Sequence, residues 1–96
     1  MSVRVYILLD IVDGKSEYAI QTLRNKKGVV LVDWLEGQWD IITAIESTSR
    51  MRLAQLLIRA ISSVDNITED MQLLPTCYGS NMESRVPPVG ALTTQN

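Results

Sequence analysis

Hydrophobic and polar residues alternate along the first part of the chain in the way expected of a β-strand. Side chains of a strand point alternately to opposite faces, so every second residue of the segment 3–12 lies on the same face, and that face is apolar. The residues on that face are Val3, Val5, Ile7, Leu9 and Ile11. Similar runs of β-forming residues occupy positions 29–35, 39–46 and 66–76. The pattern therefore predicts four strands.

Two segments between these strands have the three-to-four-residue spacing of apolar side chains that is typical of a helix. The first spans residues 16–28, with Ser16 placed to cap it and Gly28 placed to end it. The second spans residues 47–64, and the residues that can cap it are Ser47, Thr48 and Ser49. The order β-α-β-β-α-β predicts an α+β ferredoxin-like sandwich, in which both helices cover one face of an antiparallel sheet.

The second face of that sheet is expected to be apolar as well. If this face met water it should be polar, yet both faces of the first three strands carry large apolar side chains. On the first strand, for example, Tyr6 and Leu8 lie on one face while Ile7 and Leu9 lie on the other. Burying one such side chain contributes about 1.5–3 kcal/mol. We therefore expect a second copy to cover this face in a two-fold dimer; the alternative is that the C-terminal tail folds over it.

The length and charge of the chain argue against several classes of protein, among them nucleic-acid-binding and membrane-spanning proteins. Ninety-six residues make one domain, and the net charge of -2, with nine scattered Lys and Arg, gives no reason to expect direct nucleic-acid binding. The apolar N-terminal stretch is too short to span a membrane, and the single cysteine, Cys77, cannot form an internal disulfide. We expect a cytoplasmic protein that does not contact membranes.

The composition changes near the C-terminus. Residues 1–77 are expected to form the folded domain, because all the predicted helices and strands fall within them. Residues 78–96 are polar and rich in proline and glycine. Such a composition predicts a tail that is flexible or packs on a neighbouring subunit.

Residue types that commonly carry catalysis are scarce. The chain has no histidine, so the commonest general base and metal ligand is missing, and Cys77 has no histidine partner. The five glycines are dispersed, and no pair of carboxylates has a spacing that predicts a metal site. Asp10 and Asp13 are interpreted as solvated turn residues. We therefore expect a binding module rather than an enzyme, with neither a metal nor a cofactor.

The hairpin between the second and third strands is the best candidate for a binding site. In one interpretation it is purely structural: Gly37 supplies a positive φ, Asp40 bonds local amides, and Trp34 and Trp39 fill packing contacts. In the other it binds a free amino acid, which needs a carboxylate for its ammonium group and bare N–H groups for its carboxylate. Asp40, the glycine turn and the apolar wall of Trp39 offer these features. The residues alone leave both interpretations open.

Residues 3–76 as a whole resemble the effector-binding domain, or RAM domain, of the Lrp/AsnC (feast/famine) transcription regulators. The likeness is carried by the stretches VYILLDIVDGKSEYAIQTLRNKKGVVLVDWLEGQWDIITAIE, MRLAQLLIRAISSV and NITEDMQLLP. The first includes a family-like glycine before the second strand. It also includes a Gly-x-x-Asp step, formed here by Gly37, Gln38, Trp39 and Asp40.

The resemblance implies a dimeric α/β-barrel in which two sheets face each other, and dimers that assemble into an octamer or a similar ring. Amino-acid effectors of the family sit between dimers, against this hairpin and near the last strand. The ligand-binding residues implied here are Gly37, Gln38, Trp39, Asp40, Thr68, Asp70 and Gln72. Family members often have threonines in the last strand, and of the three matching positions only Thr68 retains one.

Regulators of this family also carry an N-terminal helix-turn-helix domain, whereas this sequence begins at the first strand. The resemblance therefore implies a stand-alone effector domain. It would bind an amino-acid-like ligand at an inter-subunit site, modulate full-length regulators by co-assembly, or do both. Two alternatives remain: a small dimeric α+β-barrel enzyme of the monooxygenase or isomerase type, and a purely structural assembly partner.

Overall fold

The fold has the predicted order of helices and strands. A computed structural model describes residues 2–75, and the tail expected at 78–96 lies outside this range. The strands are Val3–Ile11 (β1), Val29–Trp34 (β2), Ile41–Ser47 (β3) and Thr68–Pro75 (β4). The helices are Ser16–Arg24 (α1) and Arg50–Val64 (α2), and one turn of 3-10 helix, Asp65–Ile67, joins α2 to β4.

The four strands form one antiparallel sheet in the order β2-β3-β1-β4. β1 therefore lies inside the sheet and pairs with both β3 and β4. Each helix connects two strands that are not neighbours in the sheet, as in a ferredoxin-like sandwich. The predicted α+β ferredoxin-like fold is confirmed.

The alternation in β1 decides which face of the sheet the helices cover. Its odd-numbered residues from Val5 to Ile11 are buried and pack against the apolar sides of both helices. The helix residues of this core are Ala19, Ile20, Leu23, Leu56, Ala60 and Val64. Thr43 is the one buried polar residue in the described part of the chain. Its hydroxyl donates to the Leu31 carbonyl at 2.8 Å, so the burial leaves no donor unsatisfied.

The ends of several elements differ from the prediction. α1 ends at Arg24 rather than at residue 28, because residues 25–28 form a separate turn in which the Lys26 amide donates to the Leu23 carbonyl. Ser16 is the first helical residue and does not cap α1; Lys15 takes the cap position without a side-chain bond.

At the start of α2, Ser49 is the residue that acts as the N-cap. Its hydroxyl accepts a hydrogen bond from the Arg52 amide at 3.0 Å. At the other end of α2, the 3-10 turn occupies residues that were predicted to begin the last strand. The strand therefore begins at Thr68 rather than at residue 66. The third strand likewise begins at Ile41 rather than at residue 39.

The turn after α1 packs closely against α2 at Gly28. Its φ of 86° lies in the left-handed region, and a Cβ added there would stand 2.6 Å from Cδ1 of Leu56. Its carbonyl accepts a hydrogen bond from the Glu46 amide at 2.9 Å, which joins the turn to β3. Only glycine provides both this backbone conformation and this close approach.

Gly28→Ala should therefore destabilise the fold by about 2–4 kcal/mol, since left-handed strain and the contact with Leu56 act together. Gly14→Ala is the matched control, because Gly14 has a φ of 84° but no atom within 4 Å of the added Cβ. The control should lose only about 1 kcal/mol. Urea denaturation measures both values, and equal losses would show that the contact with Leu56 costs nothing.

Candidate functional site

The sheet has a second face that the helices do not cover, and its centre is apolar. We call this the apolar sheet face. Its residues are aligned by the strand register, in which Tyr6 pairs with Ala44 and Leu74, Leu8 with Ile42, and Leu31 with Ala44. Leu31 and Leu74 are each 39% exposed, so apolar surface is open in the single chain. Both faces of β1, β2 and β3 are thus apolar, as the sequence indicated.

Charged residues lie at the two ends of this face, and Asp33 lies on its edge strand β2. At one end Arg4 forms an ion pair with Glu46, with 3.3 Å between Nη2 and Oε2, and also donates to the Tyr6 hydroxyl at 2.9 Å. At the other end, beside the hairpin, the strands carry carboxylates. This second end is where the predicted site residues are found.

The hairpin loop is longer than predicted and runs over residues 35–40. The Leu35 amide donates to the Asp40 carbonyl at 2.9 Å and closes the loop. Gly37 has a φ of 107° and open space around it, as a glycine turn requires. Gln38 is exposed and Trp39 is partly buried. The loop therefore presents backbone and side-chain groups to its surroundings.

Asp40 connects the hairpin loop to β1 through two hydrogen bonds. Its carboxylate Oδ2 accepts a hydrogen bond from the Ile11 amide at 2.9 Å. Its own amide donates to the Leu9 carbonyl at 2.8 Å. The structural interpretation had Asp40 bonding local amides of the turn; the amide that its side chain binds instead lies on the neighbouring strand β1.

Three aspartates meet at this end of the sheet. Asp10 of β1 lies between Asp40 on one side and Asp70, its register partner on β4, on the other. With Glu69 these residues form what we call the acidic end. Desolvation, then hydrogen bonding and charge repulsion from Asp40, raise the pKa of Asp10 above its ordinary value of 3.8. Concentrated negative charge of this kind favours a cation such as an ammonium group.

The three residues predicted on the last strand do not share one environment. A bulge places Asp70 opposite Asp10 but Thr68 opposite Ile11, so Glu69 is the extra residue. The Thr68 hydroxyl donates to the Val64 carbonyl of α2 at 2.7 Å. The implied ligand set groups Thr68 with Asp70 and Gln72, but the bulge pairs Thr68 with the buried Ile11 and so separates it from Asp70.

The structure thus brings together part of the predicted set. Asp40 and Asp70 flank Asp10, while Gly37, Gln38 and Trp39 belong to the loop that ends at Asp40. Gln72 lies farther along β4, opposite Leu8. No group of three acidic, cysteine or histidine side chains within residues 2–75 is arranged to hold a metal ion.

Asp10 is the site residue that the sequence analysis missed. It was interpreted as a solvated turn residue, whereas it lies within β1 and is partly buried. Asp13 does lie exposed in the turn, as interpreted. The signal was the strand pattern itself, since alternation places Asp10 on the face away from the core. Pairing β1 with an antiparallel fourth strand then sets it beside another acid.

Solved structures share this arrangement of sheet, helices and hairpin. FFRP-DM1 superposes with a TM-score of 0.69 and 19% identity, covering 78% of this chain and 99% of that one. AsnC from E. coli gives a TM-score of 0.68 and 19% identity, covering 88% of this chain and 57% of that one. The chain has the fold of AsnC-type regulators.

A transcriptional regulator from Neisseria meningitidis, solved as a complex with L-Met, also has this AsnC-type fold. It superposes with a TM-score of 0.62 and 15% identity, covering 88% of this chain and 56% of that one. The predicted resemblance to Lrp/AsnC regulators is confirmed at the level of the fold.

The likeness concerns three-dimensional structure and not close sequence relationship. No family model and no curated protein matches the sequence. The chain spans little more than half of AsnC and of the Neisseria regulator. Among residues 2–75, neither helix has the length and apolar character needed to cross a bilayer.

Asp10→Asn should change how stability depends on pH. The pKa of Asp10 is raised in the folded state above its ordinary value of 3.8. The contribution of Asp10 to folding stability is therefore fully present at pH values below 3.8, and it is lost as the pH rises through the folded-state pKa. The asparagine variant escapes this loss and should be more stable than the wild type at neutral pH.

The measurement is the urea midpoint of both proteins from acid to neutral pH. The advantage of Asp10→Asn should grow above pH 3.8 and then level off once Asp10 is ionised in the wild type. Asp13→Asn is the control, because Asp13 is exposed in a turn. The same trend in both variants would contradict the assignment of repulsion to the acidic end.

Proposed function

We propose that this protein is a stand-alone effector-binding domain of the Lrp/AsnC type that binds a small amino-acid-like ligand at an inter-subunit site beside the β2–β3 hairpin. The observation that carries the proposal is the acidic end, where Asp10, Asp40 and Asp70 lie next to an open glycine loop. FFRP-DM1, of which this chain covers 99%, has the same fold over nearly its whole length, which supports the proposal.

The chemistry of the site suits the two charged groups of an amino acid. The ammonium group would bind the carboxylates of the acidic end, which lowers their mutual repulsion. The ligand carboxylate would accept from the amides of Gly37 and Gln38, whose backbones form no hydrogen bond with any other residue in 2–75. The L-Met complex of the Neisseria regulator, which has the same fold, supports an amino acid as the ligand class.

The site needs a second subunit, and the apolar sheet face supplies the reason for assembly. Its exposed leucines, Leu31 and Leu74, favour a two-fold dimer in which two such faces pack together. Further association of dimers into an octamer or a similar ring would bring hairpins of neighbouring dimers together. Full-length regulators of the same fold are further candidate partners, through the same surfaces.

A second candidate function is an assembly partner that binds no ligand. Two observations favour it: Oδ2 of Asp40 already accepts from Ile11, and the Thr68 hydroxyl is already bonded to α2. Both groups then stabilise the subunit itself. The ligand experiment below separates the two candidates, because only the first requires a response to amino acids.

Asp40→Asn should abolish ligand binding while it preserves the fold, since the amide oxygen can still accept from Ile11 but carries no charge. Amino acids at millimolar concentration should raise the melting temperature of the wild type, because a ligand at 100 times its Kd stabilises by about 2.7 kcal/mol. Thermal shift with each amino acid measures this.

Asp33→Asn is the matched control. Asp33 also accepts a backbone hydrogen bond, from the Trp34 amide at 2.9 Å, but it lies outside the acidic end. It should keep the full thermal shift. If no amino acid shifts the wild type, the ligand-binding function fails and the assembly partner remains.

Leu31→Lys should prevent dimer formation, because it places a charge on the apolar sheet face. Met51→Lys is the control, since Met51 is 75% exposed on α2 and lies away from that face. Light scattering after size exclusion should give a dimer or a larger assembly for the wild type and the control, and a monomer for Leu31→Lys. A monomeric wild type would contradict the assembly.

A further inference from the structure

Positive and negative side chains are separated between the two layers of the fold. Of the eight lysines and arginines in residues 2–75, seven lie on the helices or in the residues that directly flank them. These seven are Lys15, Arg24, Lys26, Lys27, Arg50, Arg52 and Arg59. Most of the carboxylates lie on the sheet and the hairpin. Cations that are scattered along the sequence are therefore gathered on one side of the molecule.

Three of these cations line one cleft. It lies between the turn after α1 and the second half of α2 and has a volume of about 530 Å³. Lys26 and Lys27 approach it from the turn and Arg59 from the helix, while Asn25 and Ser62 add polar groups and Leu56 adds an apolar wall. The volume falls within the range of about 300–1,000 Å³ that is usual for small-molecule sites.

The charges of the cleft are not neutralised by the described part of the protein. The ion pair within residues 2–75 is that of Arg4 with Glu46, so Lys26, Lys27 and Arg59 have no carboxylate partner there. Three neighbouring like charges repel each other, and a bound anion removes that repulsion. An arginine adds a planar pair of donors suited to phosphate oxygens.

The backbone that presents the two lysines is held in place. The Lys26 amide donates to Leu23 at 3.0 Å, and the Lys26 carbonyl accepts from the Val29 amide at 3.3 Å. Gly28, the next residue after Lys27, lies so near Leu56 that a Cβ added to it would stand 2.6 Å from Cδ1 of that leucine, which itself lines the cleft. A fixed backbone lowers the entropy cost of binding.

We infer that this cleft binds a small ligand that carries a phosphate or diphosphate group. Lys26, Lys27 and Arg59 bind the phosphate oxygens, and the apolar wall of Leu56 and Ile58 contacts the uncharged part of the ligand. The site is distinct from the hairpin in position and in charge. The cleft lies by the start of β2 and the hairpin follows its end, and six strand residues span roughly 20 Å.

Binding of inorganic pyrophosphate and of ADP to the full chain tests the inference. Calorimetry at low salt should show saturable binding of at least one probe, weakened as salt screens the charges. Amide shifts in NMR spectra should concentrate in residues 25–28 and 59–63, and the hairpin should be unaffected. Absence of binding by both probes at millimolar concentration overturns the inference.

Two double variants distinguish specific binding in the cleft from unspecific attraction of anions to the basic side of the molecule. Lys27→Gln with Arg59→Gln removes two exposed cations of the cleft, and affinity should fall by about tenfold or more. Lys15→Gln with Arg50→Gln removes two exposed cations elsewhere on the helix side and should leave affinity within about twofold. Equal losses in the two double variants overturn the site. Urea midpoints of both confirm that the exposed substitutions leave the fold intact.

Discussion

The position of β1 inside the sheet is the constraint on which the rest of the structure depends. Because β1 is hydrogen bonded to a neighbour on each side, its side chains can point only toward the helices or away from them. Its odd residues from Val5 to Ile11 make the centre of the core, and its even residues set the composition of the opposite face. Tyr6 and Leu8 make that face apolar, and Asp10 makes its end acidic. One strand thus contributes to the core, to the apolar sheet face and to the acidic end.

The periodicity of apolar residues along the sequence was sufficient to predict the main features of the fold. The order of the elements, the buried face of β1 and the glycine turn at Gly37 all follow from local patterns. Register between distant strands does not, because it depends on an irregularity that no local pattern shows. The bulge at Glu69 moved Thr68 toward α2 and left Asp70 beside Asp10. The end of α1 was misplaced for a similar reason, since Gly28 serves the packing of a turn against α2 rather than the helix itself.

The cleft illustrates the same limit. Lys26 and Lys27 are more than thirty positions before Arg59, and the close approach of Gly28 to Leu56 brings their segments together. In the sequence these cations are part of a chain with a net negative charge. In the fold they form a basic side and the sheet has an acidic end, so the two proposed sites would bind ligand groups of opposite sign.

The bulge at Glu69 has a further consequence for how the sheet ends. β4 is an edge strand, and its inward-pointing Met71 and Leu73 remain 39% and 41% exposed. An apolar edge of this kind is a template on which strands of other chains can add. The bulge and the adjacent acids Glu69 and Asp70 interrupt it at one end, and Pro75, which has no N–H to donate, ends it at the other. The irregularity that displaces Thr68 thereby also interrupts an edge to which strands of other chains could add.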